Sequence, residues 1–315
     1  MHNFFIMFML LFASIMGAVF SSSMIFTWCC LEINTLSFIM IIYFSDYSSL
    51  NFNLVKYFLV QSVSSILLIW SFFWGSFFIS FLSMMIKLGM APFHIWIFDL
   101  SQSLDWSVFL ILLTIQKIVP LVILSKIPVS SFLLFFIIIF NIINSCIFSF
   151  NKSNIRELMI YSSLFLMSWI FLSLKTVEFF LTMFFLYFLV IAMVVEFFSS
   201  YKINFVQQLS FITMESSGVV KFFISMMALG GFPPFSMFFL KWFIMFFCLN
   251  YSAKIIFLMV FMVLGSLWMM YIYINIIMGV VSMKKSFKMM STEKHSSDFL
   301  VFLNFLMPLI LLNLI

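Results

Sequence analysis

The sequence of 315 residues is 65% hydrophobic, 21% aromatic and 8% charged, and its mean hydropathy is +1.27. Soluble domains carry about 25% charged residues, so this composition excludes a water-soluble fold. The net charge of +5 comes without a basic stripe interleaved with stacking aromatic residues. Nucleic acid is therefore excluded as a partner, and the basic residues serve to orient membrane helices.

Apolar runs divide the chain into eleven predicted membrane helices, because a hydrocarbon core of about 30 Å needs about 20 apolar residues per crossing. The start, MHNFFIMFMLLF, is typical of a first membrane helix and not of a cleaved signal or a transit peptide. The run 211–249 could hold two crossings, but its interruption at GGFPPF favours one broken crossing; twelve helices remain the alternative. The predicted runs are 3–20, 24–43, 56–74, 76–98, 107–125, 132–150, 157–174, 179–198, 211–249, 255–280 and 299–314.

These runs predict an all-α fold, a polytopic transmembrane helix bundle that forms a single integral membrane domain over residues 1–315. Region 56–130 includes the first broken helix, and region 211–249 is the second. No segment remains that could form an extramembrane domain of useful size. The abundance of Phe (50 residues) and Met (27 residues) beside only 8 Gly is typical of an AT-rich genome and hints at an organelle-encoded chain.

The distribution of basic residues predicts the orientation, because positively charged connections stay on the inner side of a membrane. With eleven crossings, the N-terminus and the connection 281–298 face the matrix and the C-terminus faces the other compartment. The connections on the N-terminal side hold Lys56, Lys152, Arg156, Lys202, Lys284, Lys285, Lys288 and Lys294, and those on the opposite side hold Lys126, Lys175 and Lys254.

Two segments share the pattern G-x-[AP]-P-F, namely Gly89–Phe93 and Gly231–Phe235. Each would interrupt a membrane helix, and such interruptions survive at membrane depth only where they line a protein-enclosed or hydrated cavity. Corresponding broken helices in two halves indicate a transporter with internal repeats. Because the breaks fall in helices four and nine, the two copies would run antiparallel. Proline kinks without a transport role are the alternative.

Four ionisable residues lie inside apolar runs: Glu32, Lys87, Lys117 and Lys241. An ionised side chain at that depth costs at least about 2.5–3.5 kcal/mol, so these four need compensation. Burial favours the neutral forms of Lys and Glu, whereas pairing the two favours the charged forms. A Glu–Lys pair that opens and closes would therefore act as a proton switch. Structural ion pairing and snorkelling are the alternatives.

Polar residues on neighbouring helices could hold waters beside these groups, although each could equally make a helix–helix hydrogen bond. They are Gln61, Ser62, Ser65, His94, Gln116, Tyr161, Ser162 and Ser163. The four cysteines, Cys29, Cys30, Cys146 and Cys248, show no CxxC spacing, and the chain has no G-x-G-x-x-G motif and no P-loop. We therefore expect no cofactor and no metal bound by this chain.

Five blocks in order carry a family resemblance: FTWCCLEINTLSF (26–38), KYFLVQ (56–61), KLGMAPFHIW (87–96), LLTIQKIVP (112–120) and LGGFPPF…KW (229–242). They resemble the chain 2 family of respiratory NADH-ubiquinone oxidoreductase, complex I, over most of residues 24–242. The resemblance implies an antiporter-like, proton-translocating subunit of the mitochondrial inner membrane with inverted repeats. Its implied partners are the other membrane subunits of complex I, the lipid bilayer and protons.

The resemblance also implies roles for single residues. Glu32 would be the helix-two carboxylate, Lys87 its partner at the first break, Lys117 the central relay lysine, and Lys241 the terminal lysine after the second break.

The chain departs from the family pattern at several positions. Glu157 stands where a basic residue is common and Leu166 where a histidine is often found, which questions a relay role for that helix. Met237 and Leu240 replace a glycine and a proline near the second break. Glu215 and Lys221 have no counterpart in the pattern.

Three functions compete at this point. The first is a proton-translocating subunit of a respiratory oxidoreductase, an enzyme only as part of its complex. The second is a freestanding cation/proton antiporter of the same fold. The third is a hydrophobic scaffold with inert, paired lysines, which would tolerate neutral replacements of those lysines.

Overall fold

The computed structural model describes residues 2–45, 51–174, 177–211, 216–248 and 253–283, together with Asn304. Apart from one isolated bridge between Asn154 and Phe205, all the regular structure in these residues is helical. The chain divides into two compact units, Met1–Ile137 and Ile138–Ile315. The predicted all-α membrane fold is confirmed.

The first unit contains the helices up to residue 126 and the beginning of α8, which runs across the boundary between the units. Its helices are α1 (His2–Phe20), α2 (Met24–Ser45), α3 (Asn51–Trp74), α4 (Phe77–Leu88), α5 (Ile95–Ser101), α6 (Trp106–Leu113) and α7 (Ile115–Lys126). Helix α8 (Ser131–Ser149) begins in the first unit and ends in the second.

The second unit contains the remaining described helices. They are α9 (Ile155–Ser173), α10 (Val177–Tyr201), α11 (Gln208–Phe211), α12 (Ser216–Gly230), α13 (Ser236–Cys248) and α14 (Ala253–Met283). The predicted last helix, 299–314, lies outside the described residues except for Asn304, as does the basic part of the connection 281–298.

Seven spans in the described residues are long and apolar enough to cross a membrane: Met24–Ser45, Phe52–Trp74, Trp106–Lys126, Ser131–Ser149, Ile155–Ser173, Phe180–Tyr201 and Ile255–Val280. The described parts of helices α12 and α13 have 15 and 13 residues. The turn between them at Gly231–Phe235 interrupts region 211–249, as the sequence predicts. The chain is a multi-pass membrane protein.

Helix α3 shows how the side chains are sorted. Its exposed residues are apolar and follow a helical spacing: Val55, Leu59, Val63, Ile66, Trp70 and Phe73. Its buried face carries polar residues, namely Gln61, Ser64, Ser65 and Ser71. A polar interior beneath an apolar surface is the reverse of the soluble pattern and suits a lipid environment.

One interruption was not predicted from the sequence. The span 106–126 is interrupted at Thr114, which separates α6 from α7, and the Thr114 hydroxyl donates to the carbonyl of Leu110 at 2.6 Å. Six residues later Pro120, inside α7, cannot donate to the carbonyl of Gln116. Lys117 therefore lies between two local disruptions of the helix.

Candidate functional site

The first G-x-[AP]-P-F segment ends helix α4 directly after Lys87. Gly89 adopts a left-handed conformation (φ 60°), and the N–H groups of Gly89 and Met90 donate to the carbonyls of Ile86 and Met85 at 3.1 and 3.0 Å. This is the Schellman arrangement, which commonly ends helices at glycine. The chain then turns through a hydrogen bond from the Phe93 N–H to the Met90 carbonyl.

Close packing holds this break in place. A Cβ at Gly89 would collide with the Ile97 side chain, so the glycine is required both for space and for its φ angle. The Trp96 indole N–H donates to the carbonyl of Ile86 at 3.2 Å, which satisfies an acceptor at the end of α4. The motif KLGMAPFHIW therefore contains the lysine, the helix end and the residue that caps it.

Lys87 and Lys117 line one small cavity in the first unit. Both side chains are buried, with relative exposures of 5% and 4%. The cavity has a volume of about 20 Å³, which is enough for a water molecule. The Lys87 ammonium has no hydrogen-bond partner among the described residues. The other polar residues that line the cavity are Asn34, Thr35, Tyr57, Gln61 and Gln116.

Amide side chains join the helices around this cavity. The Gln116 amide donates to Asn34 Oδ1 at 3.3 Å, which connects α7 to α2. The Gln61 amide lies 3.5 Å from the carbonyl of Lys87, a long contact between α3 and α4. Groups of this kind can orient waters between two lysines.

Glu32 lies on α2, is half-buried and does not line the cavity. It interacts electrostatically with Lys87 and with Tyr57, but in the described structure no Glu32 oxygen lies within ion-pair distance, 4.0 Å, of the Lys87 ammonium. The closed Glu32–Lys87 pair that the sequence suggests is therefore not the arrangement seen here. The two groups influence each other at longer range.

The second G-x-[AP]-P-F segment reproduces the first in its hydrogen bonds. Gly231 has φ 77°, its N–H donates to the Ala228 carbonyl, and the Phe232 N–H donates to the Met227 carbonyl at 3.2 Å. The turn closes with the Phe235 N–H on the Phe232 carbonyl at 2.9 Å. Both segments therefore end a helix in the same manner and interrupt the chain before the next helix, which confirms the predicted pair of breaks at the local level.

Lys241, on α13, folds back across this second break. Its side chain is buried, and the ammonium donates to the carbonyl of Gly230, the last residue of α12, at 3.2 Å. The carbonyl end of a helix attracts a cation. The ammonium also lies over the rings of Phe165 and Trp169, at 5.7 and 6.0 Å from their centroids.

The other polar residues that the sequence singled out differ in what they contact. Gln61 and Gln116 line the cavity, whereas Ser62 and Ser65 donate to backbone carbonyls of their own helix, and His94 contacts the Phe98 ring. In the second unit the hydroxyls of Ser162 and Ser163 also donate to backbone carbonyls of their own helix. Tyr161 stacks on Phe148.

The sequence interpretation missed several site residues. Asn34, Thr35 and Tyr57 line the cavity, and Trp96 caps the first break. Asn34 and Thr35 could have been found as polar residues near the middle of an apolar run. Near the second break, Asn304 Oδ1 accepts a hydrogen bond from the Ser236 hydroxyl at 2.7 Å, and neither residue was predicted as part of the site.

The departures from the family pattern also have structural outcomes. Glu157 forms an ion pair with Lys152 at 2.8 Å, and this local partner explains an acid at that position. Leu166, Met237 and Leu240 are buried apolar residues. Lys221 is partly exposed on α12, and Glu215 lies outside the described residues.

The chain has two helices broken at a glycine, Gly89 in one and Gly231 in the other, and a buried lysine lies near each break. This arrangement is typical of an antiporter-like membrane subunit. The family model described as "NADH:quinone oxidoreductase/Mrp antiporter, TM" matches residues 70–269. Among solved structures, a chain of respiratory complex I from Thermus thermophilus with bound Aureothin has the same fold. Its TM-score is 0.81 at 15% identity, with 100% of this chain and 78% of that chain covered.

Two relatives narrow the assignment. The NADH-ubiquinone oxidoreductase chain 2 of Artemia franciscana is 35% identical over 239 residues, 74% of this chain and 76% of the relative. The chain 2 of Rhipicephalus sanguineus is 32% identical over 312 residues, 96% of this chain and 97% of the relative. The chain belongs to the NADH-ubiquinone oxidoreductase chain 2 family.

Proposed function

We propose that this chain is a proton-translocating membrane subunit of respiratory NADH:ubiquinone oxidoreductase, complex I, in the mitochondrial inner membrane. Its partners are the other membrane subunits, the lipid bilayer and protons. The chain binds no NADH or redox cofactor of its own, and the oxidoreductase chemistry belongs to other subunits. It couples their electron transfer to proton movement.

One observation carries the mechanism: two buried lysines line the same water-sized cavity. A lysine ammonium can donate a proton to a water, and a neutral lysine can accept one. Lys87 and Lys117 can therefore exchange a proton through the cavity without crossing lipid. Gln61, Gln116 and Asn34 orient the water, since their amides offer both donors and acceptors.

Glu32 sets the charge of Lys87. At about 4 Å a carboxylate and an ammonium attract by about 4 kcal/mol at an effective dielectric of 20, which is comparable to the cost of burying one charge. Because the pair is open in this structure, a small approach of Glu32 would hold the proton on Lys87 and its withdrawal would release it. Lys241 serves as the terminal lysine of the path.

The test replaces the proton-carrying groups while keeping their shape. Glu32→Gln and Lys117→Met should lower NADH-driven proton uptake per assembled complex by about tenfold or more, the size typical of a lost acid–base group. The measurement uses purified complex in reconstituted vesicles, with the amount of assembled complex determined in parallel.

Lys126→Met is the matched control, because Lys126 is the last residue of the same helix and its exposed ammonium contacts the carbonyl of Ser21 at 2.8 Å. It should pump normally. Unchanged pumping in both site variants would support the scaffold function instead. A chain that co-purifies with no other complex I subunit by mass spectrometry would support the freestanding antiporter.

A further inference from the structure

Lys241 is a buried cation whose described contacts are neutral. Among the described residues, no carboxylate oxygen lies within 4.0 Å of its ammonium. The ammonium instead has the Gly230 carbonyl at 3.2 Å and the faces of two aromatic rings, Phe165 and Trp169. An ammonium within about 6 Å of a ring centroid is attracted by the negative face of the ring.

Both rings come from helix α9, four residues apart, so they lie on one face of that helix. The family resemblance left this helix without a relay residue, because Leu166 stands where a histidine is often found. In the structure, α9 contacts the second break in a different way. It meets Lys241 through aromatic faces and not through an ionisable group.

Packing fixes the position of these rings. Trp169 is fully buried. Gly265 on α14 leaves the space that the Phe165 ring occupies, since a Cβ at residue 265 would lie 2.8 Å from Phe165 Cε2. A ring that packing already holds in place can bind a cation without first losing its own freedom of movement.

We propose that Phe165 and Trp169 are positioning residues that hold protonated Lys241 at the second break in place of an acidic partner. This inference rests on the proposed proton-translocating function. Discharge of a buried ion pair leaves an unpaired carboxylate in a low dielectric, which is costly. Lys241 between a carbonyl and two rings leaves only neutral groups when it releases its proton, so the release needs no compensating charge.

The test compares variants that keep or remove the ring faces. Phe165→Leu and Trp169→Leu should each lower proton uptake per assembled complex by about three- to tenfold, the range that one desolvated cation–ring contact implies. Trp169→Phe keeps an aromatic ring face and loses only the indole N–H, which has no hydrogen-bond partner among the described residues. Compared with Trp169→Leu, it should therefore recover most of the proton uptake. Phe171→Leu, at a fully buried phenylalanine of the same helix, controls for lost packing.

Coupling to Lys241 separates this inference from the proposed function. In a Lys241→Met background, Phe165→Leu and Trp169→Leu should cause no further loss of proton uptake. If both leucine variants still lower it there, or if Phe171→Leu lowers it equally, the rings act through general packing and the inference is wrong. If Lys241→Met alone leaves proton uptake unchanged, Lys241 is not part of the proton path, and the error lies in the proposed function.

Leucine at residue 169 removes much buried volume, so Trp169→Met is made in parallel, because methionine fills irregular gaps with an unbranched chain. It lacks the ring face and should behave like Trp169→Leu in assembled complex. Activity equal to that of Trp169→Phe would overturn the inference.

Discussion

At the scale of single residues, the side chain of Lys241 lies in close contact with the backbone at Gly231. A Cβ at residue 231 would lie 2.7 Å from the Lys241 ammonium nitrogen, so a larger residue there would displace the ammonium from its position across the break. The same glycine has φ 77°, a conformation that side chains rarely adopt. The sequence shows both residues, but their contact follows from the side-chain path of Lys241, which no spacing rule predicts.

Gly231→Ala should therefore lower proton uptake by about tenfold per assembled complex, because a catalytic group displaced by a fraction of an ångström loses much of its rate. Gly75→Ala is the matched control: its φ is 62°, and a Cβ there meets nothing within 4 Å. Both variants carry a backbone cost of about 1–2 kcal/mol. Equal pumping by the two variants would contradict a role for the Gly231–Lys241 contact.

The ion pair between Lys152 and Glu157 gives a prediction about pH. A hydrogen bond from Lys152 to Glu157 raises the pKa of Lys152, so this lysine binds its proton more tightly in the folded chain. The stabilisation is fully present below the unfolded pKa of Lys152 and is lost only as pH rises through the higher folded pKa. The pair is partly exposed, so it contributes only about 0.5 kcal/mol.

Glu157→Gln should accordingly lower the heat stability of the purified complex slightly, and by the same amount from about pH 6 to pH 9, where Lys152 stays charged. Residual NADH oxidation after heating at each pH measures this. No loss at any pH in that range would show that the Glu157 carboxylate does not raise the pKa of Lys152.

At the scale of helices, the first break depends on Trp96 as well as on Gly89. The indole N–H of Trp96 reaches over the break to the carbonyl of Ile86. The Ile86 carbonyl keeps its hydrogen bond from the Gly89 N–H, so losing the indole donor costs about 0.5–1.5 kcal/mol, the net contribution of one hydrogen bond.

Trp96→Phe should therefore reduce the steady-state amount of assembled complex and its resistance to heat. Trp28→Phe is the control, since the buried indole N–H of Trp28 has no hydrogen-bond partner in the described part of the chain. Native gels and heat-inactivation curves compare the two. An equal loss in both variants would mean that the indole ring, and not its hydrogen bond to Ile86, holds the break.

The boundaries of most helices could be predicted from the sequence, because apolar runs ended by polar residues leave few choices in a membrane. The predicted run 132–150 corresponds to α8, and 157–174 corresponds to α9. The break at Thr114 could not be predicted, since threonine is tolerated inside membrane helices and its hydroxyl commonly bonds a carbonyl of the preceding turn without ending the helix. Side-chain placement around Lys241 depends in the same way on packing.

At the scale of the whole molecule, each compact unit contains one G-x-[AP]-P-F break with the same glycine conformation and the same turn. The lysines differ in their order: Lys87 precedes its break and Lys241 follows its break. The two segments thus share the glycine conformation and the hydrogen bonds that end the first helix, but they place their lysines on opposite sides of the interruption. The antiparallel relation of the two copies stays a prediction from the helix count.

Orientation in the membrane follows from the excess of basic residues on the N-terminal side of the bundle, and it can be tested with two exposed serines. Ser130 lies in the connection between α7 and α8, and Ser153 lies in the connection between α8 and α9. Because α8 crosses the membrane once, these serines must face opposite compartments. The excess of basic residues near Ser153, including Lys152, Arg156 and Lys202, predicts that this side faces the matrix in the proposed mitochondrial location.

Ser130→Cys should therefore react with a membrane-impermeant maleimide in sealed mitoplasts, whereas Ser153→Cys should react only after the membrane is permeabilised. Serine and cysteine differ little in size, so both variants should assemble normally. The unsubstituted chain measures background labelling of Cys29 and Cys146, which are partly exposed. Labelling of Ser153→Cys alone in sealed mitoplasts would reverse the orientation and place the connection 281–298 outside the matrix.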